Sequence, residues 1–335
     1  MTLTSPAEDV VAARPQPRRG VSLRDAGPPV ALMVIVIVFS LLSAQFRTLG
    51  NVQNILDAAS VLAVVTCGAT FVLLMGSIDL SAAGVMATSA ITVALLVENN
   101  RNGNDLGFLG IAIAIALGAA LGCLSGVLLM LLKVPSFMTT LGVSAIGIGI
   151  ATLLFAGVQP NITDAALESW ATDRLLGFTY LTWIAAACVL VGWLIQRYTR
   201  LGRYAYAIGG AEEVLGLSGV RVAPYKVAVF TLAGARYGLG AVMVTSQLGA
   251  GLVQAGADFT FSSITAAVVG GTLLTGGRGG VLHSTVGVLL IVVLTNGLVQ
   301  VGVSPYWQGG VQGLIVVIAV AAAAVPLRHR NQVVK

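Results

Sequence analysis

The feature that most constrains this chain is a series of apolar runs, each about 20 residues long, that recur along most of its length. A helix of that length crosses the roughly 30 Å hydrocarbon layer of a bilayer and satisfies its own backbone hydrogen bonds there. The pattern predicts about ten crossings. Their predicted ranges are 29–46, 52–75, 82–97, 107–132, 135–157, 180–196, 226–247, 259–275, 281–301 and 310–325.

Composition supports a membrane protein over a soluble one. Hydrophobic residues make up 57% of the 335 residues and charged residues 9%, whereas a soluble domain carries about 25% charged residues. The alternation of polar and apolar residues that a transmembrane β-barrel needs is also missing. The predicted fold is therefore an all-α, polytopic transmembrane helical bundle.

The net charge of +5 arises from cations at the ends of the apolar runs, which favours membrane orientation over nucleic-acid binding. With the N-terminus inside, 14 of the 18 cations fall on the cytosolic side, three fall outside, and Arg236 lies within a helix. This bias predicts that both termini are cytoplasmic. The predicted domains are a disordered tail over 1–28, a membrane domain over 29–326 and a second tail over 327–335.

The longest polar-rich run between apolar segments covers 199–226, and 199–225 is predicted to be a cytosolic loop. In it, Gly209 and Gly210 precede Glu212 and Glu213. Carboxylates favour the first turn of a helix and glycine favours its end, so a short helix ending at Gly219 is predicted. On the other side of the membrane, 158–179 is predicted to be either a short interfacial helix or a solvated loop.

Glycine spacing predicts close helix packing and two interrupted helices. Gly118, Gly122 and Gly126 are four residues apart, as are Gly234 and Gly238, which lets helices approach closely. A weak similarity between 125–136 and 296–305, five helices apart, suggests two inverted halves, although chance similarity explains it equally well.

The first interruption covers 75–84 and contains Asp79 and Ser81. Polar groups and irregular backbone at membrane depth are costly unless protein buries them or they line a wet cavity. One hypothesis places Asp79 and Ser81 on a translocation pathway. The other makes Asp79 an N-cap of the next helix.

The second interruption covers 269–280, is rich in glycine and occupies a matching place in the second half. Its backbone, with Gly271 and Thr272, is predicted to line the pathway. A phosphate-binding loop is excluded because no strand precedes it and no Gly-Lys-Ser/Thr sequence follows it.

Three other polar residues are candidates for the pathway. Arg236, inside a predicted helix, needs a partner or water, or else extends to the membrane surface. Asn296 and Gln300, four residues apart, either bind a hydroxylated substrate or join two helices. Cys67, Cys123 and Cys188 show no metal-binding or disulfide spacing, and His283 and His329 belong to no catalytic motif, so no enzymatic activity is predicted.

Several motifs, in order, resemble the permease subunits of ribose-type simple-sugar ABC importers. They are Gly76-Ser77-Ile78-Asp79-Leu80-Ser81, Thr199-x-Leu-Gly-Arg-x-x-Tyr-Ala-Ile-Gly-Gly210 with Leu217-Ser218-Gly219-Val220, Ala266 to Thr272, Gly276-Gly277-Arg278-Gly279 and Asn296-Gly297-Leu298. The resemblance covers about 30–325. The chain departs from the family pattern at Ser77, Ala211, Phe261–Ser263, His283–Thr285 and Arg236.

The resemblance implies a type II (cobalamin-importer-like) permease in a bacterial inner membrane. It implies a second permease copy, ATP-binding subunits that hold ATP and magnesium, and a periplasmic substrate-binding protein. No cofactor is expected in this chain. The residues implied to contact the ATP-binding subunit are Gly209, Gly210, Glu212, Glu213, Leu217, Ser218 and Gly219.

Few charges are predicted within the membrane, which favours a neutral, hydroxyl-rich solute over a strongly charged one. The resemblance implies a simple sugar such as ribose, xylose or galactose. The alternatives are a permease for branched-chain amino acids or nucleosides on the same scaffold, and a secondary transporter with similar broken helices.

Overall fold

The computed structural model describes residues 23–304 together with 306–307, 309–310 and 313–314. This part of the chain forms eleven α-helices and a two-stranded hairpin. The helices are α1 Leu23–Leu42, α2 Leu49–Leu74, α3 Ala82–Leu96, α4 Phe108–Leu132, α5 Ser136–Phe155, α6 Ala165–Thr172, α7 Tyr180–Tyr198, α8 Arg200–Leu217, α9 Val222–Leu248, α10 Ala257–Val269 and α11 Val281–Gln300. The strands are β1 Arg174–Leu175 and β2 Phe178–Thr179, which pair antiparallel.

Each of the first nine predicted segments contains an apolar helix, which confirms a mostly helical membrane bundle. Six helices, α2, α4, α5, α7, α9 and α11, are long and apolar enough to cross a bilayer. The helix α1 starts earlier than the predicted segment, at Leu23, and continues through Pro28 and Pro29. Most of the tenth predicted segment, 310–325, lies outside the described residues, as do most of the two predicted tails.

The core is built around α2 and α9. From Ala59 to Leu74, α2 is buried on every side, as its continuous apolar sequence predicts. The predicted glycine packing joins α4 to α9. A Cβ on Gly118 would lie 2.6 Å from the carbonyl oxygen of Gly234, and one on Gly122 would lie 2.9 Å from the Cα of Gly234. Side chains larger than glycine would therefore separate these helices.

The connections between helices fall at two ends of the bundle. At one end, 75–81 contacts the start of α5 through Ser136 and also contacts 270–280, since a Cβ on Gly276 would lie 2.9 Å from the Cα of Gly76. At the other end, isolated β-bridges join Asn99 to Ile162 and Asn161 to Ala250. The distribution of cations in the sequence divides the connections into the same two groups, one predicted on each side of the membrane.

The contact between the two interruptions corrects one interpretation of the sequence. Copies inserted in opposite senses place equivalent connections on opposite faces of a membrane. The two interruptions instead lie at the same end and touch each other, since a Cβ on Gly76 would lie 3.0 Å from the carbonyl oxygen of Thr275. They are therefore not equivalent positions of an inverted repeat.

At the other end, the segment predicted as an interfacial helix or a loop contains both. Asp164 begins α6 as its N-cap, and its carboxylate accepts a hydrogen bond from Leu167 N at 2.9 Å. The hairpin that follows packs on α2, where Asp57 accepts hydrogen bonds from Thr179 and Thr182 at 2.7 and 2.8 Å. Backbone pairing in the hairpin is a detail that the apolar pattern did not predict.

Candidate functional site

The two interruptions are non-helical segments next to unusually short helices. We call residues 75–81 break 1 and residues 270–280 break 2. The helix after break 1, α3, has 15 residues, and the helix before break 2, α10, has 13. At 1.5 Å per residue they are about 22 and 20 Å long, less than the roughly 30 Å of hydrocarbon. The backbone of both breaks therefore lies close to membrane depth and needs hydrogen-bond partners from protein.

The partners of break 1 come from α5, which carries a hydroxyl on every fourth residue along one face. Backbone N–H groups in break 1 and early α3 donate to these hydroxyl oxygens. The pairs are Ile78 N to Ser136 Oγ at 2.9 Å, Leu80 N to Thr140 Oγ1 at 3.0 Å and Gly84 N to Ser144 Oγ at 3.2 Å. The face of α5 thus replaces the helical hydrogen bonds that break 1 lacks.

Within break 1, Asp79 and Ser81 lie together in the interior. The Asp79 carboxylate accepts hydrogen bonds from the backbone N–H of Ser81 at 2.8 Å and from its hydroxyl at 2.6 Å. The N-cap position of α3 is Ser81, so Asp79 supports the helix start from two residues before it. Asp79 is 3% exposed, so this turn is buried and not a solvated connection.

Break 2 is held partly by its own hydroxyl group. Thr272 Oγ1 accepts the N–H of Gly280 at 3.2 Å and lies 3.0 Å from Ser284 Oγ, which in turn accepts a hydrogen bond from Thr70 at 2.8 Å. These hydroxyls are buried and link break 2 to α2 and α11. Gly271 is exposed and has a φ of +105°, a conformation that favours glycine.

The other partners of break 2 come from α7 and α8. Gln196 Oε1 accepts the N–H of Val281 at 2.6 Å, and its amide donates to the Tyr206 hydroxyl at 2.6 Å. That hydroxyl donates to the carbonyl of Gly279 at 2.6 Å. Burial raises the pKa of the Tyr206 phenol above its ordinary value, so the group stays protonated and remains a donor.

The polar run forms α8, with a change of direction at Ala211, whose φ and ψ are −166° and 78°. We call residues 211–219 the tip. Its short helix begins with the two predicted glutamates and ends at Leu217, and Gly219, whose φ is +80°, follows two residues later. The helical structure of 200–209 was missed, because glycine and polar residues there predicted a loop.

The tip is open to solvent and amphipathic. Val214 is 62% exposed and Leu217 is 89% exposed, and Glu213 is also exposed. Glu212 makes an ion pair with Lys226 on α9 at 2.7 Å. The tip therefore presents apolar side chains and one unpaired carboxylate away from the bundle, an arrangement suited to docking in a groove of another protein.

Comparison with known proteins identifies the family. The family described as "branched-chain amino acid transport system / permease component" matches residues 51–320. The chain belongs to this family. No solved structure was found to match the chain.

Curated relatives are similar over most of this permease. The ribose import permease protein RbsC of Escherichia coli K12 is 34% identical, over 87% of this chain and 91% of the relative. The RbsC protein of Bacillus subtilis is 33% identical, over 89% and 92%. The galactose/methyl galactoside import permease protein MglC of Salmonella typhimurium is 31% identical, over 89% and 94%.

Arg236, predicted as a pathway residue, is 6% exposed in the middle of α9. Its guanidinium donates to Cys67 Sγ at 2.6 Å and lies 5.3 Å from the centre of the Phe71 ring. The ion pairs within the described residues do not include it. Soft and aromatic partners on α2 thus hold this cation without a carboxylate.

Asn296 and Gln300 are used to join helices. Both side-chain amides donate to Asn51 Oδ1 on α2, at 3.0 and 2.9 Å. The two residues lie near the end of α11 remote from the breaks, so the structure does not bring the seven predicted pathway residues into one site. Whether any of them contacts a solute stays a prediction.

The residues that hold the breaks were not predicted from the sequence. They are Ser136, Thr140, Ser144, Gln196 and Tyr206. The four-residue spacing of the hydroxyls on α5 was visible in the sequence. This spacing alone does not indicate contacts with another segment, because serine and threonine also occur in membrane helices as local hydrogen-bond donors.

Proposed function

We propose that this chain is the membrane-spanning permease subunit of an ATP-driven importer that moves a simple sugar, such as ribose or galactose, into a bacterial cell. The observation that carries the proposal is the exposed, amphipathic tip at the same end of the bundle as both breaks. Curated relatives named for ribose and galactose import support the cargo. Import then proceeds by alternating access in a bundle with broken helices.

The proposed assembly contains a second permease copy, ATP-binding subunits on the cytosolic side and a periplasmic substrate-binding protein. ATP and magnesium belong to the ATP-binding subunits, and the tip docks on them. Ten crossings in a type II architecture, with both termini cytoplasmic, agree with the cation distribution. The tip's end of the bundle carries Lys133, Arg200, Arg203 and Arg278, which favours the cytosolic side.

A second candidate cargo is a branched-chain amino acid, because the family is named for the transport of these amino acids. A zwitterion needs compensating charges near its path. Competition of labelled-ribose uptake by unlabelled sugars and by leucine separates the two cargoes. Uptake without any ATP-binding subunit, driven by an ion gradient, would favour a secondary transporter instead.

The docking role is tested by Glu213→Arg and by deletion of 209–219. Both variants are expected to abolish uptake and copurification with the ATP-binding subunit, while the chain still inserts into the membrane. Charge reversal at the opposite end, Asp105→Arg, is the control and should leave that copurification intact. Normal uptake by either tip variant would refute the proposal.

A further inference from the structure

Three backbone segments meet at one point where α8 passes the two breaks. The backbone N–H of Gly277 donates to the carbonyl of Leu74 at 2.9 Å, which joins break 2 to the last residue before break 1. A Cβ on Gly209 of α8 would overlap that same carbonyl oxygen and would lie 2.6 Å from the nitrogen of Gly277. The backbone of α8 therefore touches both break 2 and the residue that precedes break 1.

Two further glycines make this close approach possible. Gly76 and Gly276 have φ values of +72° and +81°, which residues with a side chain rarely adopt. A Cβ on Gly276 would lie 2.8 Å from the Cα of Gly209 and 2.9 Å from the Cα of Gly76. No side chain separates the three segments, so a displacement of one cannot be absorbed by a change of rotamer.

The position of Gly209 in α8 indicates that a force on this contact would come from the tip. The change of chain direction at Ala211 and the exposed tip follow it directly. One turn earlier, Tyr206 is bound to Gly279 of break 2 at 2.6 Å. A force on the tip therefore reaches break 2 through Tyr206 and Gly209, and it reaches Leu74, the residue that precedes break 1, through Gly209.

We infer that Gly209 is the positioning residue that passes a displacement of the tip to both breaks at once. The inference rests on the proposed function, because a docked ATP-binding subunit supplies the displacement. It goes beyond docking, since it assigns the mechanical link to one backbone contact. Loss of this contact should uncouple ATP hydrolysis from sugar transport in the assembly. ATP hydrolysis continues and sugar movement does not follow it.

The test uses the complete complex, copurified with its ATP-binding subunit and binding protein and reconstituted in proteoliposomes. Labelled-ribose uptake and phosphate release are measured together, which gives the sugar imported per ATP hydrolysed. Gly209→Ala is expected to lower this ratio about ten-fold while complex assembly is retained. Gly149→Ala, on an exposed helical site where the added methyl meets no atom within 4 Å, should keep the wild-type ratio.

A wild-type ratio in Gly209→Ala would overturn the inference. If that variant fails to assemble, Tyr206→Phe decides, because it keeps the ring and removes the hydroxyl that bonds Gly279 and Gln196. Its ratio is expected to fall about three-fold. Its control is Tyr204→Phe, whose ring packs on Tyr225 at 4.2 Å between centres and is retained. Equal ratios in these two variants would also overturn the inference.

The same experiment separates this inference from the proposed function. If the wild-type complex releases phosphate but imports neither ribose nor galactose, sugar import is refuted. If the wild-type complex imports sugar and Gly209→Ala does so with the same ratio, import stands and only the role of Gly209 is refuted.

Discussion

Break 1 and break 2 are both non-helical segments next to short helices, but they are held by different parts of the molecule. The N–H groups of break 1 bind hydroxyls on α5, which belongs to the membrane bundle. Break 2 accepts a hydrogen bond from Tyr206 on α8, next to the tip, and Gln196 at the end of α7 holds the N–H of Val281, which follows break 2. The difference teaches that break 2 is bonded to the helix that carries the tip, whereas break 1 is bonded to a helix of the membrane bundle.

The largest expected effect is at the support of break 1, where α3 and α5 lie in backbone contact. In Gly84→Ala the added Cβ would lie 2.6 Å from the Cα of Ser144. The helices would have to separate, at a cost of about 3 kcal/mol in the free energy of unfolding. Thermal unfolding in detergent measures this cost. Gly142→Ala, on α5 with no atom within 4 Å of the new methyl, is the control, and equal melting temperatures would contradict the expectation.

A smaller effect is expected when one hydroxyl of α5 is removed. Thr140→Val leaves the N–H of Leu80 without its partner at 3.0 Å, which costs about 2 kcal/mol for a buried group. Hydrogen exchange of the peptide covering break 1 should accelerate, and that of break 2 should not. Thr152→Val, whose hydroxyl binds only the Ile148 carbonyl of its own helix, should leave both peptides unchanged.

The matching change at break 2 is Gln196→Met, which keeps the length of the side chain and removes its bonds to Val281 and Tyr206. Gln196 is only half-buried, so water can replace part of these hydrogen bonds. We therefore expect a cost of about 1 kcal/mol in the free energy of unfolding. Hydrogen exchange should now accelerate in break 2 and leave break 1 unaffected. Faster exchange in both breaks would show that they are not held independently.

The smallest effect is expected at the ion pair between Lys226 and Glu212, which joins the tip to α9. Because Glu212 is largely exposed, Lys226→Met should cost about 0.5 kcal/mol in low salt. The difference from wild type should disappear at about 1 M salt, where screening acts over roughly 3 Å. A cost that persists in high salt would indicate packing by the lysine stem.

The sequence predicted the helices well, because a long apolar run in a membrane has few alternatives to a helix. It also located both breaks and the acidic tip, since Gly-rich stretches between apolar runs are distinctive. It did not predict that Gly209 meets Leu74 and Gly277. Such a contact depends on how helices distant in the sequence pack, and a glycine carries no side chain whose chemistry would indicate its partner.

Arg236 shows a related limit of prediction from sequence: its need for a partner was visible, but the identity of the partner was not. The sequence correctly indicated that a guanidinium in α9 needs a partner or water, but it did not indicate which residues would be the partners. The structure supplies Cys67 and the face of Phe71. Thiols and aromatic rings in apolar helices are usually packing residues, so their spacing in α2 gave no reason to pair them with the arginine.

The β-bridges at the other end have a consequence for how the bundle moves. Backbone pairing of Asn99 with Ile162 and of Asn161 with Ala250 ties together three separate connections. The three connections are therefore expected to move together at that end of the bundle, and not independently of one another.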